Sequence, residues 1–209
     1  MGQWAAAAAE FAKAFELEEP KKPLPWFEHA YLRLQLGDQK GYQRICRRLL
    51  ERLGQSERDW DVDLLAHTCV LAPGALKEAS QVVALAEKRL ARTGPENRWS
   101  LQVVGLAYYR AAKYDKAVEV LAKAVKDHPD FAPNIANWLI LSMAHQHLKQ
   151  PAEARQWLKQ AVARIKELQP KDRFAPEGWE WRDWLGVHLL RREAEGLLNA
   201  AKDSGKDRK

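Results

Sequence analysis

The side chains able to do acid–base, nucleophilic or metal chemistry are few in this sequence, and their spacing keeps them apart. His67 and Cys69 are two positions apart within a helical pattern, as are His145 and His147. Residues so spaced point to different sides of a helix. Neither a two-cysteine motif nor His-Glu-x-x-His accompanies them, so no metal site and no cofactor are expected. His188 falls on an apolar face, the usual place of a core histidine. Glu193 and Glu195 fall on different sides of one helix and cannot share an acid–base task. A glycine-rich phosphate loop, a His-Arg-Asp motif and an activated nucleophile are all lacking. The sequence therefore predicts no catalytic residues, and a binding protein in place of an enzyme.

Two clusters are suited to binding. Arg44, Arg48 and Arg52 recur at i, i+4 with Arg47 beside them, a basic stripe along one helix. A solvated outer face is the first reading of that stripe; a footprint for nucleic acid or an acidic partner is the second. Trp179, Trp181 and Trp184 have the area to stack on a base or a sugar. Two of them lie on the apolar stripe of a terminal helix, which assigns the trio to packing.

Bulk properties set the frame for these residues. With 46% hydrophobic residues the 209-residue chain can bury a continuous core, and 30% charged residues suit a solvated surface. No stretch approaches the roughly 20 consecutive apolar residues of a membrane helix. The alanine run at 5–9 has no basic segment before it and is followed by Glu10, Lys13 and Glu16, so no secretory leader is expected. Cys46 and Cys69, the only cysteines, sit in apolar helical patterns, which points to buried free thiols and a reducing, cytoplasmic setting. The net charge of +6 comes partly from the segment Lys202–Lys209.

Elements that could position any of these residues emerge when the chain is slid along itself. A shift of 37 places Ala107 over Ala144, Ala117 over Ala154, Leu121 over Leu158, Ala124 over Ala161 and Val125 over Val162. Leu101, Val104 and Leu106 fall over Trp138, Leu141 and Met143. The same steric demands therefore return at a fixed interval, the signature of a repeat architecture. Each unit reads as two helices. Leu101, Val104, Gly105 and Tyr108 follow i, i+3, i+4, i+7; after Ala111-Ala112-Lys113 the pattern resumes at Tyr114, Ala117, Val118, Leu121, Ala124 and Val125, and Pro129 ends it. Helices are predicted near 3–17, 24–36, 39–53, 58–71, 78–92, 98–111, 114–127, 134–148, 152–167 and 178–200. One domain is expected over 1–200, with units at about 3–20, 24–54, 58–95, 98–131 and 134–168, a cap at 178–200 and a flexible basic tail at 201–209. Helix 3–17 reads as the second helix of a pair, which suggests that a preceding segment or a partner completes it.

Gly105, Tyr108, Ala117, Leu121, Ala124 and Pro129 stand where the tetratricopeptide family places its glycine, tyrosine, alanines, large apolar residue and proline. The chain resembles that family, although Ser142 and His145 replace the glycine and tyrosine in the next unit and Tyr42 replaces a small alanine in an earlier one. The segments Trp26-Phe27 to Leu36-Gly37-Asp38, Leu106-Ala107-Tyr108-Tyr109-Arg110 and Arg192-Glu193-Ala194-Glu195 are similar to repeat tails of large bacterial serine/threonine kinase or WD-repeat regulators. The resemblance implies an all-α fold, a right-handed superhelical solenoid of antiparallel helix pairs closed by a long C-terminal helix. Its outer charges would be Arg191, Arg192, Glu193 and Glu195, with Trp181, Trp184, Leu185, His188 and Leu189 facing inward.

In such a solenoid the first helix of each pair lines a concave groove. The groove set expected here is Phe27 and Tyr31; Trp99, Gln102, Val103, Leu106, Tyr109 and Arg110; and Leu139, Ile140, Met143, Gln146 and His147. Aromatic, methionine and arginine side chains of this kind make binding hot spots. The resemblance also implies that no chaperone tail is captured, because Gln102, Leu106, Leu139 and Met143 occupy the positions where the family's clamp carries Lys and Asn. The expected partner is a protein or peptide, which an upstream domain of the same polypeptide would also satisfy, and not a membrane. Nucleic acid held by the basic stripe is the runner-up; a purely structural spacer is the third reading. Replacing Tyr109 and Arg110 together by alanine is expected to abolish binding with little effect on melting.

Overall fold

Regular structure in this chain follows the apolar periodicity closely. The computed structural model describes residues 2–171 and 174–206, and among these it has ten α-helices and no strand. They are α1 (Gly2–Leu17), α2 (Pro23–Gln35), α3 (Gln39–Leu53), α4 (Asp59–Val70), α5 (Ala79–Thr93), α6 (Arg98–Arg110), α7 (Tyr114–Asp127), α8 (Asn134–His147), α9 (Pro151–Leu168) and α10 (Trp181–Lys206). The first nine bounds agree with the sequence prediction to within a residue. The last helix starts later and runs further, so residues 201–206 of the expected flexible tail continue α10; residues 207–209 of that tail lie outside the described residues.

The helices gather into two compact units, 1–95 and 96–209, where the sequence reading has one continuous domain. The division falls at Gly94, whose φ of +91° only glycine adopts freely, followed by Pro95, which lacks an N–H to continue a helix.

In the first unit α2 and α3 form an antiparallel pair, α4 packs on both, α5 packs on α4, and α1 packs on α2. Tyr42 is fully buried at the centre of the pair. Its hydroxyl donates to the carbonyl of Thr68 (2.9 Å) and accepts from the backbone N–H of Ala72 (3.2 Å), which bolts α3 to α4 and to the turn beyond it. At the other end, Phe15 meets Trp26 edge-on at 4.6 Å and His29 edge-on at 4.8 Å, and Phe11 meets His29 at a tilt. Cys46 and Cys69 are free and buried, as expected from their apolar neighbours.

In the second unit α6 pairs with α7 and α8 with α9. Gly105 has no room for a side chain: a Cβ there would lie 2.3 Å from Cγ of Leu121, itself fully buried. Across from Ser142, the residue one repeat later, the hydroxyl donates to the carbonyl of Ala154 at 2.7 Å. A small residue at these positions lets the two helices approach, and Ala117 and Ala154 are both fully buried where they do.

One turn recurs in both units. Gly37, Ala112 and Lys149 each follow the end of a first helix by two residues and precede the next helix by two, and all have positive φ (75°, 56° and 60°). In each, the next amide donates back five residues: Asp38 to Arg33, Lys113 to Tyr108 and Gln150 to His145, at 2.8–2.9 Å. This left-handed cap satisfies the carbonyls left open at the helix end and reverses the chain within three residues.

Candidate functional site

The groove residues expected on the first helices divide between the two units. Phe27 and Tyr31, on α2, are both 2% exposed; their rings meet at 4.9 Å, and Phe27 meets His67 of α4 at the same distance. They pack α2 onto α4 and line no open surface. The reason is geometric, because α4 covers the face of α2 that the pattern alone leaves free.

The second unit shows the same effect more strongly. Leu139, Ile140 and Met143 on α8 are each 0% exposed. Helix α8 is apolar nearly all round, and it is enclosed by α6, α7, α9 and α10. Val103 and Leu106 on α6 are buried too. Gln102 is buried in a polar chain: its amide donates to the carbonyl of Pro133 and to Oδ1 of Asn137 (both 3.1 Å), and Asn137 donates to Asn134 (2.9 Å). Such a chain fixes the α6–α8 register and spends both Gln102 amide hydrogens inside the core. Of the expected set, Trp99 and His147 remain exposed and Gln146 half-exposed. Trp99 meets Phe131 edge-on at 5.1 Å.

What covers α8 is α10. That helix presents Trp184, Val187, Leu190, Ala194 and Leu198 along one buried stripe. It packs mainly on α8, the first helix of the preceding pair, and more lightly on α9. Of the inward face expected from the sequence, Trp184 and Leu185 are buried; Val187 and Leu190 join them, whereas Trp181, His188 and Leu189 are only half-buried. Glu193, expected among the cap's outer charges, turns inward. Its carboxylate takes a two-pronged ion pair from Arg110 of α6, one prong of which, from Nη2, measures 2.8 Å. The Arg110 side chain is only 5% exposed.

Around that pair stand three rings. Tyr114 and His147 stack in parallel at 4.4 Å, Tyr109 lies 5.8 Å from each, and the Arg110 guanidinium lies 5.3 Å from the Tyr109 ring centre. Burial, reinforced by the Glu193 charge, holds the Tyr109 hydroxyl well above its ordinary pKa, so it stays protonated. Burial lowers the His147 pKa while Glu193 pulls it the other way. The ends of α6 and α8, with the start of α7, thus form a pocket of one cation and three rings around a carboxylate. Buried arginine must be paired, so the expectation that Tyr109 and Arg110 can be replaced without affecting melting is corrected. Tyr114 and Glu193 are the members sequence reasoning missed. Tyr114 reads as a repeat-core residue, and the partner of Arg110 lies 83 positions away, beyond any periodic signal.

The basic stripe on α3 is half neutralised. Glu19 accepts from Arg48 Nε at 2.8 Å and also pairs with Arg52, which sits over the Trp26 ring. Those arginines hold the Glu19 carboxyl below its ordinary pKa. Arg44 and Arg47 are exposed. Among the described residues there is no group of three or more His, Cys, Asp or Glu arranged for a metal, and no helix is long and apolar enough to cross a membrane.

Residues 140–168, the last part of α8 with α9, match the family model of the tetratricopeptide repeat. The fold is tetratricopeptide-like. Among solved structures, the chain is similar to PilW, described as a widely conserved type IV pilus biogenesis factor, with a TM-score of 0.54 and 22% identity over 95% of this chain and 86% of PilW. At that identity the likeness speaks for the fold alone. No significant match is found among curated proteins.

Proposed function

We propose that this chain is a non-catalytic protein-binding scaffold, a regulatory or adaptor module of a larger assembly, and that the second unit recognises its partner through the first-helix surface at the C-terminal ends of α6 and α8. One observation carries the reading: the Arg110 pocket already holds a carboxylate presented by an amphipathic helix. Tetratricopeptide-type repeats are built for such contacts, since rigid helix pairs present a few anchoring side chains on a common frame. The nucleic-acid reading is weaker, because Glu19 already engages two of the four arginines of the stripe.

A photo-crosslinking residue placed at half-exposed Gln146, with exposed Arg164 on α9 as control, tests this without disturbing the core. In the source cell, Gln146 is expected to yield a discrete protein adduct that Arg164 does not. Identical adducts from the two positions, or none from Gln146, would refute the reading.

A further inference from the structure

We infer that α10 is a displaceable occupant of this surface, and that the partner it stands in for is an amphipathic helix carrying a carboxylate at the position of Glu193. The inference rests on the scaffold reading above and adds the chemistry of the ligand. Three observations lead to it. First, α10 does not continue the packing of the repeats. Helix α8 meets the pair before it chiefly through α7, a second helix, whereas α10 meets the pair before it chiefly through α8, a first helix, and only lightly through α9. It lies along α8 and reaches α6 through the Arg110–Glu193 pair.

Second, the polar contact between α10 and that face is concentrated. Arg110, nearly buried on α6, meets Glu193 with two nitrogens on two oxygens, the geometry by which arginine selects a carboxylate over other acceptors. The Tyr114–His147 stack and the Tyr109 ring wall the same place. Third, the rest of the contact is a plain apolar stripe, Val187, Leu190, Ala194 and Leu198, spaced i, i+3, i+7, i+11. That is the anchor pattern of a helix laid in a groove. Ala194, 0% exposed beside Glu193, marks where a competing helix must also be small. A lysine in place of the glutamate would set a second cation against Arg110, and a glutamine would offer it one neutral acceptor in place of a two-oxygen anion, so the pocket discriminates by charge.

Attachment to the chain gives α10 a high local concentration, which a free competitor must overcome. A fluorescein-labelled synthetic peptide of residues 181–201 serves as the probe, with the full chain as receptor. The wild-type chain is expected to bind it at least tenfold more weakly than a Glu193→Lys chain, whose own α10 no longer satisfies Arg110. Arg110→Gln in the Glu193→Lys background, or Glu193→Gln in the peptide, is expected to remove the gain. Equal binding by the wild-type and Glu193→Lys chains, or a gain indifferent to Arg110, would overturn the inference. Should Glu193→Lys fail to fold, amide hydrogen exchange of the wild-type chain decides. Amides of 184–198 should open at least tenfold more often than those of 139–144 in α8; equal protection means α10 leaves only on global unfolding and overturns the inference. A discrete Gln146 adduct with no peptide binding would leave the scaffold reading standing and remove the displaceable helix.

Discussion

The α2–α3 pair of the first unit and the α6–α7 pair of the second are the same hairpin filled in two ways. Both turn through a left-handed residue with the same back-bonded amide. In the second unit the helices close on Gly105, Ala117, Leu121 and Ala124; in the first, the matching places hold Ala30, Tyr42, Cys46 and Leu49, all buried. A ring replaces a methyl at one position, and a thiol replaces an isobutyl group at another. The first unit's set is bulkier in sum, so the same turn joins a helix pair filled by a ring as readily as one that closes on small residues. The small-residue signature is therefore one solution to helix approach, and the turn is the more constant feature.

The largest break in this comparison should come from Tyr42→Ala. It removes a buried ring and both hydroxyl hydrogen bonds, a loss of about 3–5 kcal/mol by analogy with other large-to-alanine core changes. Amide exchange should show the loss in α2–α4, and an equal loss of protection in α6–α9 would sink the idea that Tyr42 acts within its own unit.

Acid should separate the units next. His29 is packed between Phe11 and Phe15, and its Nε2 accepts from Arg33 at 2.9 Å. Burial, first, and the Arg33 charge, second, lower its pKa to about 4. The folded form thus binds fewer protons than the unfolded chain between about pH 6.5 and 4, so stability is present above 6.5 and is lost as pH falls through that window. The loss approaches about 3 kcal/mol at most. His147 and His188 shift in the same direction in the second unit, again mainly by burial. Urea unfolding at pH 7 and pH 4.5 should show the fall, and His29→Gln should flatten most of it; an unchanged slope in that variant would contradict the assignment.

Gly105→Ala is expected to cost about 1–3 kcal/mol despite the better helix propensity of alanine, because fully buried Leu121 has nowhere to move. A melting temperature at or above wild type would show that α7 can retreat. The smallest effects form a mirror pair. Gly37→Ala has open space at its Cβ yet should lose about 1 kcal/mol through its positive φ alone. Ala112→Gly should gain less than about 1 kcal/mol, since relief of the same strain is offset by the freer unfolded chain. Shifts of the same sign in both variants would mean the turns are not equivalent.

Much of the fold was legible because its cause is local and periodic. Helix bounds followed from apolar spacing and from Gly and Pro at the breaks, and the pairing of helices followed from small residues returning every 37 positions. The candidate site was legible only in part. Tyr109 and Arg110 stood out as an aromatic and a cation on a first helix, but nothing near them in sequence announces Glu193. The arginines of α3 showed as an i, i+4 stripe, while Glu19, which claims Arg48 and Arg52, comes from the link before α2. His29, with its two phenylalanines, carries no pattern of its own.

The amino-acid order by itself determined which segments are helical, where they turn and which of their faces are apolar, because each of these depends on residues within a few positions of one another. Only the tertiary structure decided which apolar faces stay open. An apolar stripe is equally satisfied by a neighbouring helix or by a ligand, and here α4 and α10 are close enough in space to claim faces that α2 and α8 would otherwise present to water.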